Sequence, residues 1–106
     1  MSYVKIETNR SIPYKMQFVS STTHFISNLL CEDDKEVMIS IHDNKEMYLA
    51  KRKDATAFIQ LKCNKLPEEC NQIIKSLESY LESSLRVKKE RICIECCSLN
   101  NSSLHL

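Results

Sequence analysis

The chain has 106 residues, and its hydrophobic fraction of 42% and charged fraction of 27% are those of one globular domain over residues 1–106. The formal net charge of +1 excludes the strongly basic character of a nucleic-acid-binding protein. No apolar run reaches the roughly 18 residues of a membrane-spanning helix, and the N-terminus lacks the basic and apolar segments of a signal peptide. We therefore expect no nucleic-acid partner, no membrane insertion, and either a cytoplasmic location or an unconventional route of secretion.

Glycine is absent from the chain, although it normally supplies the positive φ angles of turns and helix ends. Asparagine is the residue that most often replaces glycine in the left-handed conformation. We therefore expect asparagine to occupy such positions, at Asn9, Asn44, Asn64 and Asn100.

The first half of the chain predicts a strand, a helix and a second strand. Alternating residues indicate a strand over 3–8, which is interrupted at Pro13. From Lys15 the apolar residues fall at helical spacing, and they predict an amphipathic helix of about four turns. The β-branched segment 37–42 predicts the next strand, and 47–50 predicts a brief edge strand.

The second half of the chain repeats this order. The segment 55–62 predicts a strand, and Pro67 opens a second helix. Glu68 and Glu69 follow in the first helical turn, where acidic side chains interact favourably with the helix dipole. The segment 91–98 then predicts the last strand.

Each half is therefore predicted to be a β-α-β unit. A helix that bridges two strands of one sheet implies parallel pairing and a right-handed crossover. Two helices cover only one face of a four-stranded sheet, so the other face needs a different cover. Copies of the same protein, related by cyclic symmetry, are the cover that we expect.

Three segments of the sequence resemble the macrophage migration inhibitory factor family of the tautomerase superfamily. Its first strand is similar to SYVKIETN, and its middle to VMISIHDNKEMYLAKRKDATAFIQLKCNKL, in which Ala50 and Lys51 replace a glycine pair. Its second helix and last strand are similar to CNQIIKSLESYLESSLRVKKERICIECCSLNNSS. The resemblance implies an α/β fold in which two β-α-β units form a four-stranded mixed sheet with two helices on one face. It also implies a homotrimer.

The resemblance also implies where catalytic groups would lie. The family catalyses keto–enol tautomerisation of α-keto acids such as phenylpyruvate, and its general base is an N-terminal proline, whose position holds Ser2 here. The lysine that holds the substrate carboxylate corresponds to Glu32, and a pocket tyrosine from a neighbouring subunit corresponds to Cys93. All three positions are degenerate. We therefore expect a pseudoenzyme with no catalytic residues and no cofactor.

The cysteines are expected to be free thiols, because the sequence has no signal peptide. Cys93, Cys96 and Cys97 form a C-x-x-C-C pattern that raises a redox or zinc hypothesis. In a strand, Cys93 and Cys97 face one side and Cys96 the other, so we expect no metal site. Cys63 and Cys70 have six residues between them, which matches no known ligand spacing.

Basic turns are the remaining candidate sites for a partner. Lys51, Arg52 and Lys53 form one cluster, and 86–91 contains another. Such clusters are usually solvated, and the alternative is contact with an acidic surface of a protein partner.

The resemblance locates the family's cytokine motif as well. The motif uses an arginine after the first strand and an acidic residue after the second, and these positions fall on Ile12 and Asn44. Arg10 and Asp43 lie nearby in the sequence. The implied partners are a cell-surface receptor like the MHC class II invariant chain, or a host member of the family in mixed trimers.

The leading hypothesis is a non-enzymatic cytokine mimic or antagonist that modulates immune signalling. Two alternatives stay open, a divergent tautomerase of the phenylpyruvate or dopachrome type and a thiol-based redox protein. The residue composition, rich in Lys, Asn, Ile and Ser, is typical of an AT-rich genome and favours a viral or parasite source.

Overall fold

The strands and helices follow one another along the chain in the predicted order. A computed structural model of the chain describes residues 1–98. The elements are β1 (Ser2–Thr8), α1 (Lys15–Leu30), β2 (Val37–His42), β3 (Ala57–Cys63), α2 (Pro67–Leu85) and β4 (Ile92–Ser98).

The strands form one mixed sheet in the order β2-β1-β3-β4. β1 pairs with β2 in parallel, and β3 pairs with β4 in parallel, as each β-α-β unit predicts. The two units meet through antiparallel pairing of β1 with β3, in a register that aligns Tyr3 with Lys62 and Thr8 with Ala57. The predicted fold class is therefore confirmed.

The hydrophobic core lies between one face of the sheet and both helices. Alternate residues of β1 and β3 are buried, and the partly exposed residues between them form the open face of the sheet. Burying each large aliphatic side chain stabilises the fold by about 1.5–3 kcal/mol. The fully buried members are Val4, Ile6, Ile26, Ile59, Leu61, Leu77 and Leu81. None of the helices within residues 1–98 is long and apolar enough to cross a membrane.

The two helices are joined by a contact that uses aromatic side chains. The rings of Phe25 and Tyr80 are stacked, with their centroids 4.2 Å apart. The Tyr80 hydroxyl also lies within hydrogen-bonding distance of Thr22 Oγ1, at 3.0 Å.

At the start of α2, the Glu69 carboxylate accepts a hydrogen bond from the Leu66 N–H at 2.9 Å, so the N-terminal end of this helix is capped.

The prediction that asparagine supplies the positive φ angles is correct at Asn44, where φ is 57°, and wrong at Asn9 and Asn64. Asn9 instead uses its side chain to fix the neighbouring turn, since its Nδ2 donates to the Asp54 carbonyl at 3.1 Å. Asn100 lies outside the described residues. The other positive φ angles are found at Tyr14, Cys31, Ala50, Lys51 and Arg86.

Two of the predicted strands are also corrected. The segment 47–50 is not a strand, because within residues 1–98 its only ladder contact is an isolated bridge between Leu49 and Arg52. β3 begins at Ala57 instead of residue 55, and the Ala55 carbonyl accepts a hydrogen bond from the Arg91 side chain.

Candidate functional site

Ser2 and Glu32 meet at one end of the sheet. Ser2 opens β1 and is fully buried, whereas Glu32 follows α1 after the left-handed residue Cys31. The Ser2 hydroxyl donates a hydrogen bond to Oε2 of Glu32 at 2.5 Å. Two of the degenerate positions are therefore in direct contact.

The N-terminal ammonium occupies the other side of the Glu32 carboxylate. The Met1 nitrogen lies 3.5 Å from Oε1 of Glu32 and 3.6 Å from Oε2 of Glu36. Among residues 1–98, Oε1 of Glu32 accepts no hydrogen bond, so this ammonium is the positive group that faces it. Two carboxylates and one ammonium leave a negative local charge.

This arrangement places charged groups of the chain itself beside Ser2. The Glu32 carboxylate also repels an anionic substrate, by up to roughly 4 kcal/mol at a separation of about 4 Å and an effective dielectric near 20. A second anion beside this carboxylate is therefore electrostatically unfavourable.

Cys93, the third degenerate position, does not approach Ser2 within one chain. It is exposed on β4, opposite Phe58. Phe58 in turn pairs with Glu7, at the end of β1 distant from Ser2. In the family the corresponding tyrosine comes from a neighbouring subunit, so Cys93 is not expected to approach Ser2 of the same chain.

Arg91 corrects the expectation that the second basic cluster is solvated. Its side chain is buried, and its guanidinium donates four hydrogen bonds to main-chain carbonyl groups. The planar fork of arginine can serve several acceptors at once, which a lysine ammonium cannot do in the same geometry. Arg91 thus fixes the turn that carries the first basic cluster. The acceptors are the carbonyls of Leu49, Arg52, Asp54 and Ala55, at 3.0–3.3 Å.

The three cations of that turn differ in their pairing. Arg52 lies 2.8 Å from the Asp54 carboxylate, and Lys53 lies 3.9 Å from the Glu46 carboxylate. Lys51 is exposed and forms no ion pair with any residue in the described range 1–98. Lys51 is therefore the cation of this turn that is most available to an acidic partner.

The loops that correspond to the cytokine motif are in contact. The Asn44 N–H donates to the Arg10 carbonyl at 2.9 Å. Ile12 is buried, and its N–H donates to Oδ2 of Asp43 at 2.9 Å, while the Lys15 ammonium lies 3.1 Å from the same oxygen. Both contacts hold the pKa of Asp43 below its ordinary value, and the hydrogen bond from the Ile12 N–H has the larger effect. Asp43 is thus already engaged, whereas Arg10 is exposed.

A cluster of three thiols was missed by the sequence analysis. Cys96 faces the helices while Cys93 and Cys97 lie on the open face, as predicted, but Cys96 also meets Cys70 and Cys63. Burial raises the pKa of both the Cys63 and the Cys96 thiol. The inward-facing position of Cys96 in the last strand was the available signal. Within residues 1–98 no group of His, Cys, Asp or Glu side chains is arranged to hold a metal ion.

Solved structures with the same fold come from distant organisms. The macrophage migration inhibitory factor from Trichinella spiralis is 21% identical, with a TM-score of 0.89 over 98% of this chain and 95% of that one. The factor from Oncomelania hupensis is 19% identical, with a TM-score of 0.84 over 100% and 83%. A homologue from Prochlorococcus marinus is 15% identical, with a TM-score of 0.79 over 89% and 85%. These similarities establish the fold.

Comparison with curated proteins gives no significant match. The sequence profile of the macrophage migration inhibitory factor family, by contrast, matches residues 1–106. This match spans the whole sequence and agrees with the fold, so the chain belongs to the macrophage migration inhibitory factor family.

Proposed function

We propose that this chain is a non-enzymatic signalling protein, a mimic or an antagonist of the family's cytokine, without tautomerase activity. The observation that carries the proposal is the pairing of Glu32 with both the Ser2 hydroxyl and the N-terminal ammonium. Where the family binds a substrate carboxylate, this chain has a carboxylate of its own, engaged by its own groups. A function that does not use this site must depend on the surface.

The surface that best supports partner binding is the turn with Lys51, Arg52 and Lys53. The buried guanidinium of Arg91 holds its backbone, so little conformational entropy is lost when a partner binds there. Its positive charge complements an acidic surface on a receptor ectodomain, and such complementarity mainly accelerates association. The partner that we propose is a cytokine receptor like the MHC class II invariant chain.

Binding to the purified invariant-chain ectodomain, measured by surface plasmon resonance, tests this proposal. Reversing the charge of all three residues, as Lys51→Glu, Arg52→Glu and Lys53→Glu, should slow association by about tenfold at low salt. A variant with Lys35→Glu, Lys65→Glu and Lys75→Glu is the control, because it carries the same change in net charge at positions outside both basic clusters. Its association rate should fall much less.

Two results would count against the receptor proposal. If the wild-type protein does not bind the ectodomain, the proposed partner is wrong. If both triple variants lose the same fraction of the association rate, net charge alone acts and the turn has no specific role.

In cells that carry the receptor, a mimic induces signalling by itself, whereas an antagonist only suppresses signalling by the host cytokine.

A further inference from the structure

Three thiols meet where the first turn of α2 approaches the ends of β3 and β4. The sulfur atoms of Cys70 and Cys96 are 3.0 Å apart, although 26 positions separate them in the sequence. The Cys63 thiol is fully buried at the end of β3 and interacts electrostatically with the Cys96 thiol. A disulfide bond is about 2.05 Å long, so Cys70 and Cys96 are about 1 Å from bonding distance.

We propose that Cys70 and Cys96 are a redox modification site, which a hydroperoxide converts to an intramolecular disulfide. The bond would tie the first turn of α2 to β4. Cys93 and Cys97, which the sequence pattern singled out, take no part because they face the other side of the sheet. The inference is independent of the proposed signalling function, since it uses neither Ser2 nor the basic turn.

The reaction balances with the hydroperoxide as the oxidant. The Cys70 thiolate attacks the outer oxygen of ROOH, the O–O bond breaks, and the alcohol ROH leaves, which gives a sulfenic acid. The Cys96 sulfur then attacks the sulfenic sulfur, and hydroxide leaves as water after it takes the Cys96 proton. The two thiols thus lose two electrons and two protons, and the hydroperoxide becomes ROH and water.

The surroundings of the two thiols decide the order of these steps. Cys70 lies in the first turn of α2 and is half-buried, so an oxidant can reach its sulfur, which accepts a hydrogen bond from the Cys96 thiol. Desolvation raises the pKa of the Cys96 thiol, which therefore stays protonated at neutral pH. Cys70 is accordingly the thiol that reacts with the peroxide, and Cys96 is the thiol that resolves the sulfenic acid.

Peptide mapping after oxidation tests the proposal. The reduced full chain, in a Cys93→Ser, Cys97→Ser background, is treated with one equivalent of hydrogen peroxide per chain and alkylated. Trypsin should then release a crosslinked pair of peptides, 66–75 joined to 92–106, whose mass is lower by two hydrogen atoms than the sum of the free peptides. The midpoint of thermal unfolding should rise by about 10 °C, because the crosslink restricts the unfolded chain.

Variants and alternative products make the test decisive. Cys70→Ser, at a half-buried position, should abolish the crosslink, whereas the control Cys31→Ser, at an exposed position remote from the cluster in sequence, should retain it. Circular dichroism of the reduced variants verifies that each is folded. A crosslink between the peptides that contain Cys63 and Cys96 would overturn the assignment. Oxidation of Cys70 to a sulfinic acid without any crosslink would overturn it as well.

Discussion

Nε of Arg91 donates a hydrogen bond to the main-chain carbonyl of Ala55 at 3.0 Å. The same guanidinium serves three further carbonyl groups, so one buried cation organises the turn between β2 and β3. Arg91→Ala should lower the free energy of unfolding by about 3 kcal/mol or more, since buried acceptors lose a charged donor. Arg91→Lys should recover only part of this loss, because an ammonium cannot reproduce the fork.

Urea denaturation at a fixed protein concentration measures both changes. Lys88→Ala is the matched control, since Lys88 is an exposed basic residue of the same cluster, and it should change the unfolding free energy by less than about 0.5 kcal/mol. An Arg91→Ala variant as stable as the control would show that the turn does not depend on the guanidinium.

Lys51 is a position where glycine should stabilise the chain. Ala50 and Lys51 have φ angles of 54° and 64° where the family has a glycine pair, and this conformation costs a residue with a Cβ atom about 1–2 kcal/mol. Lys51→Gly should therefore raise the free energy of unfolding by about 0.5–1 kcal/mol after the greater entropy of the unfolded chain is subtracted. Lys88→Gly, at a φ of −63°, should lower it instead. Urea midpoints that move in the same direction for both variants would contradict this explanation.

The carboxylate of Asp43 should make stability depend on acid pH. The Ile12 N–H and then the Lys15 ammonium lower its pKa, so the folded value lies below the ordinary value near 3.9. The stabilisation is therefore fully present above the unfolded pKa and is lost as the pH falls through the folded pKa.

The variant Asp43→Asn keeps an acceptor for the Ile12 N–H but not the charge. The difference in unfolding free energy between the wild-type protein and this variant should be constant above about pH 5 and should shrink as the pH falls to about 2. A difference that is unchanged over this range would mean that the ionised carboxylate contributes nothing.

The protein should be a homotrimer, because the helices leave the open face of the sheet without a cover and the family typically forms trimers. Light scattering should give three times the chain mass of 12.4 kDa. Phe58→Asp on the open face should dissociate the assembly, whereas Met16→Asp, at a position on α1 that is 82% exposed, should not. A wild-type protein that remains a monomer at micromolar concentration would contradict the prediction.

The order of elements and the parallel pairs were predictable because hydrophobic periodicity and crossover geometry are local properties of the sequence. The antiparallel junction of β1 and β3 followed only from the family resemblance, since no local pattern specifies how two β-α-β units join. The turn with Ala50 could not be predicted, because it depends on a guanidinium about forty positions away in the sequence. The contact between the Cys70 and Cys96 thiols could not be predicted either, because the two residues lie 26 positions apart in the sequence.

In the candidate site, too, some features could be predicted from the sequence and others required the fold. Ser2, Glu32 and Cys93 could be predicted to be degenerate positions only through the resemblance, and the contact of Ser2 with Glu32 required the fold. The contact of the Met1 ammonium with Glu32 and Glu36 has no signature in the sequence, because the segment between α1 and β2 must first be brought to the start of β1.

We propose that the position of the family's active site binds the chain's own N-terminus in this protein. Introducing the proline alone, as Ser2→Pro, should restore little tautomerase activity, because Glu32 still repels the substrate. We expect Ser2→Pro combined with Glu32→Lys to recover more than either change does alone, provided that the intact mass shows Met1 removed. A positioned general base typically accelerates a reaction by about 100- to 10,000-fold.

Turnover of phenylpyruvate and dopachrome by the wild-type protein tests this claim most directly. The assay should be run beside an authentic family member at the same concentration and pH, with the intact mass of both proteins determined. We predict no rate above the uncatalysed reaction. A wild-type rate within about tenfold of the authentic enzyme, well inside the range that a general base contributes, would contradict the pseudoenzyme account.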